Sequence, residues 1–491
     1  MKGSDGRQTR GRTSTPSGSP KGRRKRNYTY TVVALFFSGL FLLMAGWLLY
    51  FQARLAPDFV NSPYNPRQDT FADRIIRGKI VSSEGEVLAR TDSYEDGEEE
   101  RVYPYGRMFA HVVGYDSNGK SGLESEANFH LLTAHEFFID QMRREFAHQK
   151  NEGDTVVTTL DLDMQSAAYY ALGDNRGAIL IMEPLTGKIL AMVSKPDFDP
   201  NEIEEDWEYY INDPDDSSLL NRVTDGAYPP GSVFKIVTAL SYYRTQGSLS
   251  GFSFDCEGNI TIGEDSIHCY EYAVHGEEDL TKAFAWSCNC AFAKLGVQLG
   301  SQSLISTAQD LLFNKALPLS SYRESQFSLE RNASTRMLMQ TSIGQGDTLC
   351  SPMHMALIAS AIANEGVLMK PYLISQVDNA AGDKIRTYKP QEAMRLLSKK
   401  EAQVLDGLMR EVVTSGTGSL LNGRGYWGAG KTGSAEFDEE GHSHSWFVGY
   451  AGEEGMEADV LVAVIIENGG AGSESAVPVA GELFDTYFQR W

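Results

Sequence analysis

The chain has 491 residues, enough for two or three domains, with 44 basic and 66 acidic residues and a net charge of −22. Nine of the basic residues and one acidic residue fall in the first 27 positions, which leaves 35 against 65 in the remainder. So strong an acidic excess argues against nucleic acid as a partner of that remainder.

Residues 1–26 are mostly Arg, Lys, Gly, Ser, Thr and Pro, with no hydrophobic residue after Met1. Such a segment cannot bury enough surface to fold, so residues 1–27 read as a disordered basic tail. Tyr28–Phe51 follows as an uncharged, largely apolar run. At about 1.5 Å per residue a helix of this length crosses a hydrocarbon core of about 30 Å. The basic cluster Lys21-Gly-Arg-Arg-Lys-Arg26 places the amino end in the cytoplasm, so later residues lie outside the membrane. The run is too long for a cleaved signal core, and Gln52-Ala-Arg-Leu55 offers no clear cleavage site.

Pro57, Pro63 and Pro66 among polar residues mark a linker over 52–70. Arg77–Ala89 reads as two strands around a Ser-Glu-Gly turn, and residues 52–150 form a small first module. Within it, Ser117-Asn-Gly-Lys120 and Lys120-Ser-Gly122 imitate catalytic motifs but lie among Gly and Asn with no apolar helix after them.

Residues 151–491 have the composition of a regular globular domain. A capped helix starts at Thr159-Leu-Asp161, and strands at 177–182 and 188–193 are joined across Pro184-Leu-Thr-Gly187. Strands recur at 445–450 and 458–466, and an amphipathic helix runs from about Val477 to Phe488. Strands at both ends with helices between predict an α+β domain, one antiparallel sheet covered by helices on both faces.

In Tyr228-Pro-Pro-Gly-Ser-Val-Phe-Lys-Ile-Val-Thr-Ala-Leu240 a turn enters an apolar helix with Ser232 and Lys235 in its first turn. Positions three apart share a helix face, so the amine can reach the hydroxyl. A serine needs a base to become a nucleophile, and burial makes a lysine amine fit to be that base.

Cys256 and Cys269 flank a short alternating hairpin, which leaves a disulfide open. No spacing among the five cysteines (Cys256, Cys269, Cys288, Cys290, Cys350) matches a zinc ligand set. Leu280–Leu295 reads as two helical pieces with Ser287-Cys-Asn289 at their junction. A hydroxyl there could relay a proton, and the Asn289 amide could hold Lys235 and a substrate carbonyl.

In Tyr426-Trp-Gly-Ala-Gly-Lys-Thr-Gly-Ser434, Gly428, Gly430 and Gly433 strip a strand of side chains. That suits close backbone approach by an extended peptide, with Lys431 and Thr432 presented to a carboxylate. Gly425 to Thr432 also satisfies a phosphate-loop pattern, but that motif must open a helix, and the residues after Thr432 continue as strand or loop.

Ser-x-x-Lys, Ser-x-Asn and Lys-Thr-Gly in this order resemble the signature set of penicillin-binding proteins and class A β-lactamases. Residues 177–194, Phe198-Asp-Pro-Asn201, Tyr228-Pro-Pro-Gly231, Gly344-Gln-Gly346, Gly416-Thr-Gly418 and Trp446-Phe-Val-Gly449 extend the likeness. With Arg77-Gly78, Gly122-Leu-Glu124 and the single anchor, they resemble class B penicillin-binding proteins of the compact elongation or division type.

That resemblance implies the serine penicillin-recognising transpeptidase fold behind a pedestal or dimerisation-like module. It implies a D,D-transpeptidase that cross-links peptidoglycan stem peptides and is acylated by β-lactam antibiotics. Ser232 would be the nucleophile, Lys235 the base, Ser287 the proton carrier and Asn289 the orienting amide. Lys431, Thr432, Gly433 and Ser434 would bind substrate, with no metal or organic cofactor. A membrane glycosyltransferase of the SEDS family would be the partner. A D,D-carboxypeptidase, or a β-lactam-binding sensor or scaffold, shares the motifs. A β-lactamase does not fit, because no Glu-x-x-x-Asn segment to activate water follows Ser287-Cys-Asn289.

Overall fold

A computed structural model describes residues 21–51, 74–94, 97–136, 142–144, 146–147, 149–214, 216–436 and 442–489. Residues 1–20 of the expected tail and all of the expected linker over 52–70 lie outside the described residues. The described residues fall into two units: the helix α1 (Lys21–Tyr50), and everything from Arg74 onward. Helix α1 starts ahead of the expected Tyr28, because Lys and Arg are good helix formers and extend a helix already nucleated by the apolar run. Its stretch Tyr28–Tyr50 is long and apolar enough to cross a membrane, and its side chains are exposed.

The larger unit contains a five-stranded antiparallel sheet of β1 (Gly177–Met182), β2 (Ile189–Lys195), β3 (Trp427–Glu436), β4 (Ser443–Gly452) and β5 (Val460–Ile466), in spatial order β3-β4-β5-β1-β2. As expected, strands from both ends of the domain meet: Val462 pairs with Ile181 and Val464 with Ile179. Alternate side chains serve two cores. Ile179, Ile181, Val462, Val464 and Phe447 join Met164 and Leu172 of α2 (Leu162–Leu172) and Leu483 and Phe484 of α8 (Ala476–Phe488). Leu180, Met182, Leu461, Ala463 and Trp446 face a second core, shared with α3 (Lys235–Gln246), α5 (Asn289–Asp310), α6 (Pro352–Ala363) and α7 (Lys399–Thr414). Because both faces are covered, β5 is buried at every position and reads in sequence as an unbroken apolar run. Each such Val, Leu or Ile contributes about 1.5–3 kcal/mol through burial.

The caps read from sequence form. Asp161 Oδ1 accepts the Met164 N–H at 2.9 Å at the start of α2. The hairpin of the first module pairs Ile80–Val81 with Val87–Ser93. Its six-stranded sheet runs in the order 384–387, 374–378, 155–158, 80–81, 87–93, 99–102. Two of those strands come from beyond residue 370, so this sheet crosses the sequence division placed at residue 150. Val156 and Val377 are fully buried where the segments pair.

Arg77 and Glu124, which lie apart in sequence, meet inside this module. Arg77 Nε donates to Glu124 Oε2 at 2.6 Å, and Arg101 Nη2 lies 2.7 Å from Glu124 Oε1. Glu124 is fully buried, and its two guanidinium partners, outweighing burial, hold its carboxyl below the usual range. Glu124→Ala leaves two buried cations without their anion and is expected to cost about 3–5 kcal/mol, read as a lower urea midpoint. An unchanged midpoint would contradict this role for the triad.

Candidate active site

Pro229, Pro230 and Gly231 lead into a 3-10 turn, Gly231–Phe234, and α3 begins at Lys235. The turn is pinned from outside. Gly231 N donates to Gly344 O at 3.0 Å, and Trp446 Nε1 donates to Pro229 O at 3.1 Å. A side chain at Gly344 would put its Cβ 1.8 Å from Gly231 O, and its φ of +83° is left-handed, so only glycine serves there. Ser232 sits half-buried on this turn, and among the described residues its hydroxyl has no hydrogen-bond partner.

Lys235 is fully buried. Its Nζ donates to Ser287 O at 2.6 Å, Ser287 Oγ at 3.1 Å and Asn289 Oδ1 at 2.7 Å. The expected bond to Ser232 is therefore not formed, because the three donors of the ammonium are committed to the Ser287–Asn289 segment. Deprotonation would free a lone pair. That segment is the predicted junction, lying between α4 (Leu280–Ala285) and α5. Ser287 adopts φ +57°, a left-handed conformation that costs a residue with a Cβ and occurs where surroundings enforce it. Asn289 Nδ2 donates to His268 O at 3.1 Å, which fixes the amide so that its oxygen faces Lys235.

Strand β3 is the sheet edge. Lys431, fully buried, donates from Nζ to Ser287 Oγ at 2.9 Å and to Thr432 O at 3.0 Å. Ser287 Oγ thus receives both lysine amines. Gly433 lies against the serine turn: a Cβ there would sit 3.2 Å from both Pro230 O and Val233 Cγ1. Ser434 Oγ accepts from Gly472 N at 3.2 Å. The phosphate-loop reading has no support, since Lys431 and Thr432 continue in strand instead of opening a helix. The imitation at Ser117–Lys120 is a turn with left-handed Asn118, Gly119 and Lys120.

Folding therefore brings Ser232, Lys235, Ser287, Asn289 and Lys431 to Ser434 to one place. Thr417 is an addition: its hydroxyl lies 2.6 Å from that of Thr432. Gly416-Thr-Gly418 was its signal, but nothing in a window that short ties it to a strand ten residues on.

Burial pushes the Lys235 amine down to about 8. Burial and, second, the Lys235 charge hold Lys431 well below the ordinary lysine range. Two desolvated amines on one oxygen cannot both carry charge without repulsion, and a proton lost from one favours its retention on the other.

Residues 177–485 match the family model described as the penicillin binding protein transpeptidase domain, and residues 77–156 match the penicillin binding protein A dimerisation domain. The chain is 32% identical over 421 residues to the peptidoglycan D,D-transpeptidase PbpA of Mycolicibacterium smegmatis, covering 80% of this chain and 84% of that protein. Among solved structures it resembles the D,D-transpeptidase domain of a peptidoglycan glycosyltransferase from Eggerthella lenta (TM-score 0.75, 33% identity, 85% and 99% of the two chains). It also resembles the imipenem acyl-enzyme complex of penicillin-binding protein A from M. tuberculosis (TM-score 0.76, 28% identity, 86% and 100%).

Replacing Lys235 by Met removes the charge that depresses its neighbour, so the Lys431 side-chain nitrogen should titrate at higher pH by NMR. An unmoved titration would show that the two amines do not share their charge.

Proposed function

The chain belongs to the class B penicillin-binding proteins, and on that premise we propose that it is a peptidoglycan D,D-transpeptidase, acylated by β-lactams at Ser232. The observation that carries this reading is the Ser287 hydroxyl held between two buried amines beside the serine turn. Ser232 attacks the penultimate D-Ala carbonyl of a donor stem peptide, giving its proton to neutral Lys235. The terminal D-Ala leaves as its amine takes a proton through Ser287. An amine of a second stem peptide then takes the acyl group from Ser232.

Asn289 orients Lys235 and the donor amide. Lys431, Thr432 and the side-chain-free Gly433 receive the terminal carboxylate, with Ser434 closing the strand edge. An arriving carboxylate favours the charged form of Lys431. The proton it draws can come through Ser287 from Lys235, so substrate binding would itself free the base. The N–H groups of Ser232 and Ser434 stabilise the oxyanion, worth about 10²–10³ in rate per donor.

Helix α1 anchors the chain with its amino end in the cytoplasm and residues after 52 outside, the basic cluster before it setting the orientation. Residues 52–150 are a pedestal, and with α1 they contact a SEDS-family glycosyltransferase, which supplies nascent glycan. Residues 151–491 are the transpeptidase domain.

Ser232→Ala should abolish labelling by fluorescent penicillin in protein that still unfolds at the wild-type temperature; persistent labelling would move the nucleophile elsewhere. In wild type, the labelling rate should climb with pH through about 8, because the neutral amine gains as pH rises past the lowered Lys235 value. A rate that is flat from pH 6 to 9 would remove Lys235 as the base. D-Ala release that rises on adding an acceptor amine, with a cross-linked product, would separate transpeptidase from carboxypeptidase.

A further inference from the structure

The segment Gly344-Gln-Gly346 joins two parts of the site. The Gly344 carbonyl accepts the Gly231 N–H of the serine turn at 3.0 Å, and both glycines are left-handed, with φ of +83° and +87°. Gln345 between them is partly buried, and its backbone N–H donates to Gln340 O at 2.9 Å. Its side chain reaches the far end of β3. The amide N donates to Glu436 O at 3.2 Å, and the amide O accepts the Glu436 N–H at 3.2 Å, in the orientation that satisfies both groups. Two reciprocal bonds to one residue are what a neighbouring antiparallel strand makes, so here a side chain takes the place of a strand.

In an antiparallel ladder every second residue directs both its N–H and its C=O to the same side. Glu436 directs its pair away from β4, so Ser434 and Thr432 do the same. Two contacts agree with this. The Thr432 carbonyl accepts from Lys431 Nζ at 3.0 Å, and the Ser434 carbonyl faces the serine turn, where a Cβ on Gly231 would meet it at 2.7 Å. Thr432 thus gives its carbonyl to Lys431, and Glu436 gives both groups to Gln345. Among the described residues, Ser434 alone of the three keeps both backbone groups open to a ligand.

An extended donor whose terminal carboxylate sits at Lys431 and Thr432 adds to this edge antiparallel, with its amino end towards Glu436. Its penultimate D-Ala then lies opposite Ser434. The carbonyl receives the Ser434 N–H, which is the oxyanion contact, and the D-Ala N–H meets Ser434 O. The residue before it directs its backbone groups away from the edge. The residue before that comes opposite Glu436, where Gln345 already completes the ladder.

We propose that Gln345 determines donor specificity by capping the edge of β3. The enzyme then pairs with the donor backbone at the penultimate D-Ala only, and the stem leaves the strand two residues upstream. This rests on the transpeptidase reading of the site. The cap also blunts an exposed strand end that could otherwise pair with another chain. Because Gly344 holds the serine turn and Gln345 holds Glu436, one short segment sets the nucleophile and the length of the docking edge together.

The test uses the full chain in detergent and the peptide acetyl-Ala-Lys-D-Ala-D-Ala, with D-Ala release followed. Two further peptides carry an N-methyl group, one on the penultimate D-Ala and one on the first Ala. In wild type, methylation at D-Ala should lower kcat/KM about tenfold, and methylation at Ala should change it by less than about twofold. In Gln345→Ala the edge is open, so methylation at Ala should lower kcat/KM about fivefold, the worth of one hydrogen bond. A residue that merely supported the fold would alter all three peptides alike. Wild type slowed by methylation at Ala, or Gln345→Ala indifferent to it, would overturn the proposal; the wild-type half stands even if the variant fails to fold. A second reading needs no turnover: the Glu436 N–H should exchange with deuterium more slowly in wild type than in Gln345→Ala, while exchange in β5 is unchanged. Equal exchange at Glu436 would overturn the cap. Absent D-Ala release from all three peptides would count against the transpeptidase reading and overturn the donor register with it, whereas slower Glu436 exchange in wild type would still support the cap.

Discussion

Two lysine side chains end on one serine oxygen inside the protein, and much of the surrounding architecture exists to keep them there. Lys235 arrives along α3, Lys431 along β3, and Ser287 from the break between α4 and α5. None of the three elements is a sequence neighbour of another. Each amine is stripped of water, so each is biased toward its neutral form, and the shared hydroxyl lets one proton serve both. An exposed pair of lysines would keep both charges and could offer neither a base nor a proton path.

Close approach is the geometric condition for this arrangement. The serine turn is wedged between Gly344 and Gly433, where side chains would collide with backbone or with Val233. The turn is held again by the Trp446 indole, from the strand next to β3. The sheet supplies the rigidity. Its central strands bury both faces, so β4, β5 and β1 cannot slide in register without exposing one core or the other. The left-handed Ser287 is the strained member.

The first module and the sheet domain are less separable than their sequence positions suggest. Strands from residues 374–387 complete the sheet begun at residues 80–102, and the buried Arg77–Glu124–Arg101 triad organises the opposite side of that sheet.

Local chemistry wrote much of this into the chain: the apolar run at Tyr28, the Asp161 cap, the double-sided strands, the break at Ser287, and the Gly-stripped strand around Lys431. These are readable because caps, alternation and glycine act within a few residues of one another. The Asn289 amide was legible as a partner of Lys235, and the structure forms that bond, but the serine was not: spacing on a helix favoured Ser232, whereas the structure commits the amine to Ser287. Thr417 beside Thr432 and Glu124 between two arginines were equally out of reach. Those meetings depend on strand order and on how helices stack across a sheet, and a linear spacing carries no record of either. Sequence alone determined which reactive groups exist and what local backbone each would have; only the tertiary packing decided which of them touch, because desolvation and contact are properties of the assembled core.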